Sequence, residues 1–241
     1  MERGIALVTG GGTGIGRACC TMLAAAGFSV AVHCNRSRED ADKLCASLEN
    51  SFAIQADLST LGGVEKIAEE LERRYGPISV LVNNAGITRD NFLFTSSPED
   101  FDEVIHTNLR AAWYLTKRLV RPMMRRKAGR IINISSVIGH IGNPGQILYG
   151  MSKAALDNFT KSAALEFAPY GILVNSVAPG FIDTEMTQKL PTEKREQMLT
   201  RIPLGRIGTV DEVAEAVTFL STSGSYSTGS ILHVNGGMYG G

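Results

Sequence analysis

The sequence predicts an α/β protein: a single doubly wound domain with a seven-stranded parallel sheet and helices on both faces. Three observations lead there. Short apolar strands alternate with helical patterns along the whole chain. Those strands have no polar face to show to water, which suits parallel pairing with both faces covered. The first strand runs into a glycine turn that opens a helix, the start of a Rossmann-type unit.

Ile5 to Thr9 is the first strand, and after the glycines Ala18, Met22, Leu23 and Ala26 recur at helical spacing until Gly27 stops them. Val30 to Cys34 is a second buried strand, Glu39 to Leu48 a helix, and Phe52 to Ala56 a third strand ending at Asp57. Leu61 to Tyr75 reads as a charged amphipathic helix closed by Gly76-Pro77. Strand Ile78 to Val82 follows, then one long helix from about Pro98 to Arg126, and strand Arg130 to Ile134. A loop leads to a helix carrying Tyr149 and Lys153, then come strand Ile172 to Ala178, a polar irregular stretch, helix Val210 to Leu220 and strand Ile231 to Val234. No repeat, low-complexity tract or linker breaks this order, so one domain over residues 1–241 is expected. Ligands of doubly wound sheets bind beyond the carboxyl ends of the strands, and every motif of interest lies at that edge.

Composition narrows the function classes. With 44% hydrophobic and 20% charged residues the chain has ordinary globular usage and enough length for a real core. The 24 Lys+Arg balance 24 Asp+Glu, so there is no net field to favour nucleic acid or a membrane surface. Cys19, Cys20, Cys34 and Cys45 lack ligand spacing and read as small hydrophobes in a reducing compartment. His33, His106, His140 and His233 are scattered singly, which argues for structural roles and no metal site. No targeting segment or run of 18 apolar residues occurs, and the expected location is the cytoplasm.

The turn Gly10-Gly11-Gly12-Thr13-Gly14-Ile15-Gly16 departs from strict G-x-G-x-x-G, whose third glycine would fall at Ile15. It supplies the same physics: glycines let the backbone turn sharply and approach a pyrophosphate resting on the helix start. At the end of the second strand an NAD site places a carboxylate, whereas this chain has Asn35, Arg36 and Ser37 after Cys34. Arg36 is a suitable fork for a 2'-phosphate, so NADPH is the expected cofactor. Asn83-Asn84-Ala85-Gly86, Ser135-Ser136 and Pro179-Gly180 follow the next three strands, each ordinary turn chemistry taken singly. Thirteen residues after Ser136 comes Tyr149-x-x-x-Lys153, which on a helix puts a phenol and an ammonium on one face. A neighbouring cation favours the phenolate, making Tyr149 a candidate general acid/base with a lowered pKa.

At this point the chain resembles the short-chain dehydrogenase/reductase family over its whole length, on Thr9-Gly-x-x-x-Gly-Ile-Gly16, Asn83-Asn-Ala-Gly86, Asn108, Ser136, Tyr149-x-x-x-Lys153 and Pro179-Gly180. Asn83 to Asn91, Val177 to Met186 and Leu232 to Tyr239 are similar to the bacterial 3-oxoacyl-[acyl-carrier-protein] reductases. The resemblance implies NADPH-dependent reduction of a 3-keto carbon in fatty acid biosynthesis. Tyr149 would protonate the oxygen, Ser136 steady the developing oxyanion, Lys153 lower the tyrosine pKa and hold the nicotinamide ribose, and Asn108 hold a water linking Lys153 to solvent. It further implies that Asp57 and Leu58 meet the adenine, that Asn84 and Gly86 meet its ribose and the middle of the cofactor, and that Ile182 and Thr184 close over the nicotinamide. Ala85, Pro179 and Gly180 complete the cofactor contacts.

The stretch from Asp183 to about Arg206 is the expected lid over the acyl chain. Lys117, Arg118, Arg121, Arg125, Arg126, Lys127 and Arg130 form a run without an acid. Cations are stabilised at a helix C-terminus in any case; the alternative is docking of an acidic acyl carrier protein, with Arg125, Arg126, Lys127 and Arg130 foremost. Tyr170 stands where the carrier-protein reductases lead one to expect a basic residue, so an acetoacetyl-CoA or other small-ketone reductase remains an alternative. A cofactor-binding partner subunit without turnover would predict a broken set of Asn108, Ser136, Tyr149 and Lys153, yet all four are present. A homotetramer built through the two long helices is the family expectation, with Trp113, Tyr114 and Phe159 either at that contact or in the core.

Overall fold

In the computed structural model, which describes residues 3–188 and 192–240, β1 (Ile5–Val8) lies between β2 (Ser29–Cys34) and β4 (Ile78–Asn83), parallel to both. β3 (Ser51–Gln55) continues the sheet on one side; β5 (Gly129–Ile134), β6 (Ile172–Pro179) and β7 (Ile231–Val234) continue it on the other. The order is β3-β2-β1-β4-β5-β6-β7, with every neighbouring pair parallel. The chain thus winds outward, returns to the middle and winds the other way. The reversal between β1 and β4 opens a crevice at their carboxyl ends.

The strands are apolar at successive positions because both faces are covered. Ala6, Val8, Val30, Val32, Val80, Val82, Ile132 and Ile134 pack with α1 (Gly14–Ala25), α2 (Arg38–Ser47) and α10 (Val210–Thr222). Leu7, Ala31, Leu81, Ile131 and Val174 point the other way, onto α3 (Leu61–Arg74), α5 (Ala111–Arg126) and α7 (Ile147–Phe167). Each fully buried aliphatic side chain contributes about 1.5–3 kcal/mol, so a one-residue slip that exchanged the two layers is strongly disfavoured. Cys19, Cys20 and Cys34 are buried free thiols, and Cys45 is half-buried.

Three stretches differ from the sequence-based expectation. The predicted long helix is α4 (Pro98–Ile105) joined to α5 by a π turn over His106–Arg110. Its start was written in the sequence: Ser97 and Asp100 cap each other reciprocally, with Pro98 opening the first turn. The π turn has no such signature, because side-chain spacing hardly distinguishes it from an α-helix. The loop after β5 contains a short helix, α6 (Ile138–Ile141). The stretch read as irregular carries α8 (Glu185–Gln188) and α9 (Thr192–Leu199); the part of the expected lid at 189–191 lies outside the described residues. Among the described residues no helix is long and apolar enough to cross a membrane, and no group of His, Cys, Asp and Glu could hold a metal ion.

Candidate active site

A cleft of about 560 Å³ opens beyond the carboxyl ends of β1, β4, β5 and β6. Gly10, Thr13, Gly14, Ile15 and Gly16 form one wall, and Asn84, Ala85, Gly86, Ser136, Tyr149, Lys153, Pro179, Gly180, Ile182 and Thr184 the rest. Ser135 lines it too, and Ile87, Ile134, Glu185 and Thr187 also line it and were not singled out from sequence. Of these Thr187 carried a signal, since Thr184-x-x-Thr187 is a capping pattern: Thr184 N–H donates to Thr187 Oγ1 at 2.9 Å.

The glycine wall needs its glycines for two different reasons. Gly10 has φ +62° and Gly14 φ +51°, the left-handed region that side chains avoid. A Cβ on Gly16 would lie 2.1 Å from Gly10 O, so the helix start and the turn touch backbone to backbone. His33 pegs the turn from beneath: Gly10 N–H donates to its Nδ1 (3.1 Å), Gly11 N–H to its carbonyl (2.8 Å), and its Nε2 pairs with Ala56 O (3.1 Å). That pattern requires a neutral ring with the proton on Nε2, and burial pushes the imidazole down to about 4. Thr9 and Asn84 lock the other side. Asn84 N–H and Ala85 N–H both donate to Thr9 Oγ1 at 2.9 Å, and Asn84 Nδ2 donates to Thr9 O at 2.8 Å and Gly10 O at 3.1 Å. The side-chain donors of Asn84 are therefore spent on the turn rather than free for a ribose.

Thr60, Ser97 and Thr209 cap their helices with side-chain oxygens, but Thr13 at the start of α1 makes no side-chain cap. The first-turn amides of α1 are left for a ligand, and the helix dipole favours a negative one. This cradle fits the pyrophosphate of a dinucleotide.

On the opposite wall α7 places Tyr149 and Lys153 on one face, the Lys153 Nζ 5.6 Å from the centre of the phenol ring. Lys153 is buried, donates to Ile134 O at 2.7 Å, and is pushed down to about 8 by desolvation, against the field of Asp157. The expectation of a lowered tyrosine pKa is not met here. Burial raises the phenol, the hydrogen bond with Ser136 pulls it back, and the charge of Asp90 raises it further. Asp90 is held over this region by Gln146, whose Nε2 donates to both carboxylate oxygens at 3.2 and 3.1 Å.

Asn108 sits in the π turn behind the cleft. Its Nδ2 donates to Ile87 O (2.9 Å) and Ser152 Oγ (3.0 Å), and its Oδ1 accepts from Ile87 N–H (2.8 Å). Both amide hydrogens are engaged by protein, so the side chain brackets the strand-end loop against α7.

The remaining expected cofactor residues lie outside the cleft lining. A Cβ on Gly11 would strike Cys20 and Val32, so this glycine serves close packing of α1 on the sheet. Gly12 faces the start of α2, where Ser37 O would be 3.6 Å from a Cβ. Asn35 Nδ2 reaches Asp57 Oδ1 at 3.4 Å, and Asp57 Oδ1 also accepts from Ser59 N–H at 2.9 Å. Arg36 is exposed beside them. Leu58 is a core residue whose side chain is 4% exposed.

A family model described as short chain dehydrogenase matches residues 4–195. The chain belongs to this family. Similar relatives are 3-oxoacyl-[acyl-carrier-protein] reductases: 46% identity over 239 residues with that of Staphylococcus aureus strain Mu50, covering 97% of both chains, and 45% over 243 residues with that of Escherichia coli K12, covering 99% of this chain and 98% of the other. The Salmonella typhimurium LT2 reductase is 44% identical over 243 residues, with the same coverage. As a short-chain dehydrogenase the protein is an oxidoreductase that takes a nicotinamide cofactor.

Proposed function

We propose that this short-chain dehydrogenase reduces the 3-keto group of 3-oxoacyl-[acyl-carrier-protein] in fatty acid biosynthesis, with NADPH as reductant. One observation carries the reading: the half-buried phenol of Tyr149, with Ser136 and the Lys153 amine beside it, faces the uncapped start of α1 across one cleft. The near-full-length relatives with that activity support it.

A nicotinamide bound in the cleft would supply the hydride. The raised phenol keeps its proton at neutral pH and is a ready donor to the carbonyl oxygen as charge builds there. Ser136 sits within hydrogen-bond reach of the same point and steadies that charge. Lys153 favours the phenolate left behind by its field, and its amine would hold the nicotinamide ribose. Gly86 keeps this space open, since a Cβ there would stand 3.4 Å from both Lys153 Nζ and Asn108 Oδ1. Arg36 is the fork for the 2'-phosphate, with Asn35 and Ser37 beside it, and Asp57 and Leu58 at the adenine.

Replacement Tyr149→Phe tests the reading. It should keep NADPH affinity within about twofold and lower turnover of acetoacetyl-carrier protein by about 10²–10⁴-fold; undiminished turnover would remove Tyr149 from proton transfer. A CoA thioester as the acyl donor is the second reading, favoured by Tyr170: it is 39% exposed, and Gly171 next to it packs on Lys127. The reading also takes the protein as cytoplasmic, 183–206 as the lid, and the assembly as a homotetramer using the exposed faces of α4, α5 and α7, where Trp113 and Met151 are 45% and 48% exposed. Sedimentation of the purified protein at four times the chain mass is the expected result.

A further inference from the structure

A second polar cluster, built around the buried Asp157, lies one helical turn from Lys153 and takes no part in the account above. Asp157 is 4% exposed on α7, and its Oδ2 is 2.9 Å from Nε2 of His140 on α6. The angles of that contact fall outside a hydrogen bond, so neither oxygen of Asp157 has a hydrogen-bond donor among the described residues. Burying a carboxylate is costly, and the His140 imidazole is the group that meets it. His140 is enclosed by His233 of β7, edge-on at 4.8 Å between ring centres, and by Tyr239, stacked at 4.9 Å. Asn235 anchors that C-terminal segment through Nδ2–H to Tyr239 O at 3.0 Å.

The place of this cluster ties it to the cleft. α6 begins two residues after Ser136, and a Cβ on Gly139 would come within 2.9 Å of Ala154 N and 3.3 Å of Lys153 Cβ, so α6 lies directly on the backbone of Lys153. His140 and Asp157 therefore join the loop that carries Ser136 to the helix that carries Tyr149 and Lys153. We infer that Asp157 and His140 are positioning residues for the reduction: the pair fastens the Ser136 loop to α7, and the Asp157 carboxylate supplies the negative charge that faces the Lys153 ammonium from the next turn. The direction of the Asp157 field on Lys153, which favours the charged amine, agrees with this. The groups facing the pair are His233 from β7, Tyr239 from the C-terminal segment and Lys153 from α7 itself. Burial, and after it the charge of His140, push the His233 imidazole below its usual range, against the field of Asp157.

This inference rests on the reductase reading, so its test has one arm independent of turnover. In protein labelled with ¹³C at lysine Cε, Asp157→Asn should lower the proton affinity of Lys153 by roughly threefold or more, while Asp157→Glu, which keeps the charge, should not. In turnover, the high-pH limb of kcat/KM should move to lower pH in Asp157→Asn with NADPH affinity unchanged. His140→Gln should lower kcat rather than raise KM, and its effect should not add to that of Asp157→Asn. An unchanged Lys153 midpoint in a folded Asp157→Asn protein, or additive effects of the two replacements, would overturn the inference. Absence of turnover in the unaltered enzyme with every thioester would count against the reductase reading alone, since the lysine titration would still decide this one.

Discussion

Lys153 is the residue whose chemistry depends most on where the fold puts it. Burial pushes its ammonium down to about 8, so in the free enzyme the charge that favours the Tyr149 phenolate is lost as pH rises through that value. The kcat/KM for reduction, which reports the free enzyme, should fall about tenfold per pH unit above about 8; a rate flat to pH 9.5 would separate Lys153 from the reaction. Arg36 makes the second residue-scale prediction. Arg36→Ala should weaken NADPH by about tenfold or more while leaving NADH nearly unaffected, because only the former has a 2'-phosphate for the fork; isothermal titration with both cofactors checks this, and equal losses would contradict it. The i, i+4 spacing of Tyr149 and Lys153 was readable in the sequence because helical geometry is regular. The sign of the Tyr149 shift was not, because desolvation depends on what covers the ring and on Asp90, brought over by Gln146 from 56 residues away.

At the scale of elements, His33 shows how a strand can serve a turn. One ring joins Gly10 of the glycine turn, by its N–H, to Ala56 beyond β3, by its carbonyl. Its native pKa, about 4, is depressed below the usual 6.5, so the protonated ring is the form the fold excludes. Its stabilisation is fully present above pH 6.5 and is lost as pH falls toward 4, a swing of about 3 kcal/mol. Urea unfolding at pH 7 and pH 5 should show part of that loss, smaller in His33→Asn; an equal fall in both proteins would assign the acid sensitivity elsewhere. The π turn is a second element-scale device. Deleting Thr107 would let residues 98–126 close as an uninterrupted α-helix and rotate Asn108 away from Ile87 and Ser152. Helical circular dichroism should persist while turnover falls by about 10²-fold; full activity would show that the bracket is dispensable. The contacts of Asn108 were not readable from the sequence, since a single extra residue in a turn leaves no mark on the side-chain pattern.

For the whole molecule, the alternation of apolar strands and helices was enough to read a doubly wound parallel sheet and the edge at which ligands bind, because a strand buried on both faces has only apolar positions. Surfaces were harder to read. The basic run from Lys117 to Arg130 contains no acid in sequence, yet the fold brings Glu65 of α3 to Arg118 at 2.8 Å and turns Arg126 back onto Ile78 O at 2.6 Å. Arg125, Lys127 and Arg130 remain at the amino end of β5, which spans six residues, so within one chain they stand about 20 Å of strand away from the cleft. On the proposed reading, carrier docking on these cations would engage a surface remote from the cleft of the same chain. The measurement that decides it is the initial rate of NADPH oxidation with acetoacetyl-carrier protein and acetoacetyl-CoA side by side, at matched concentration and rising salt. The account predicts a preference for the carrier form that fades as salt screens the cations. Equal or better use of the CoA thioester at every salt concentration would contradict it.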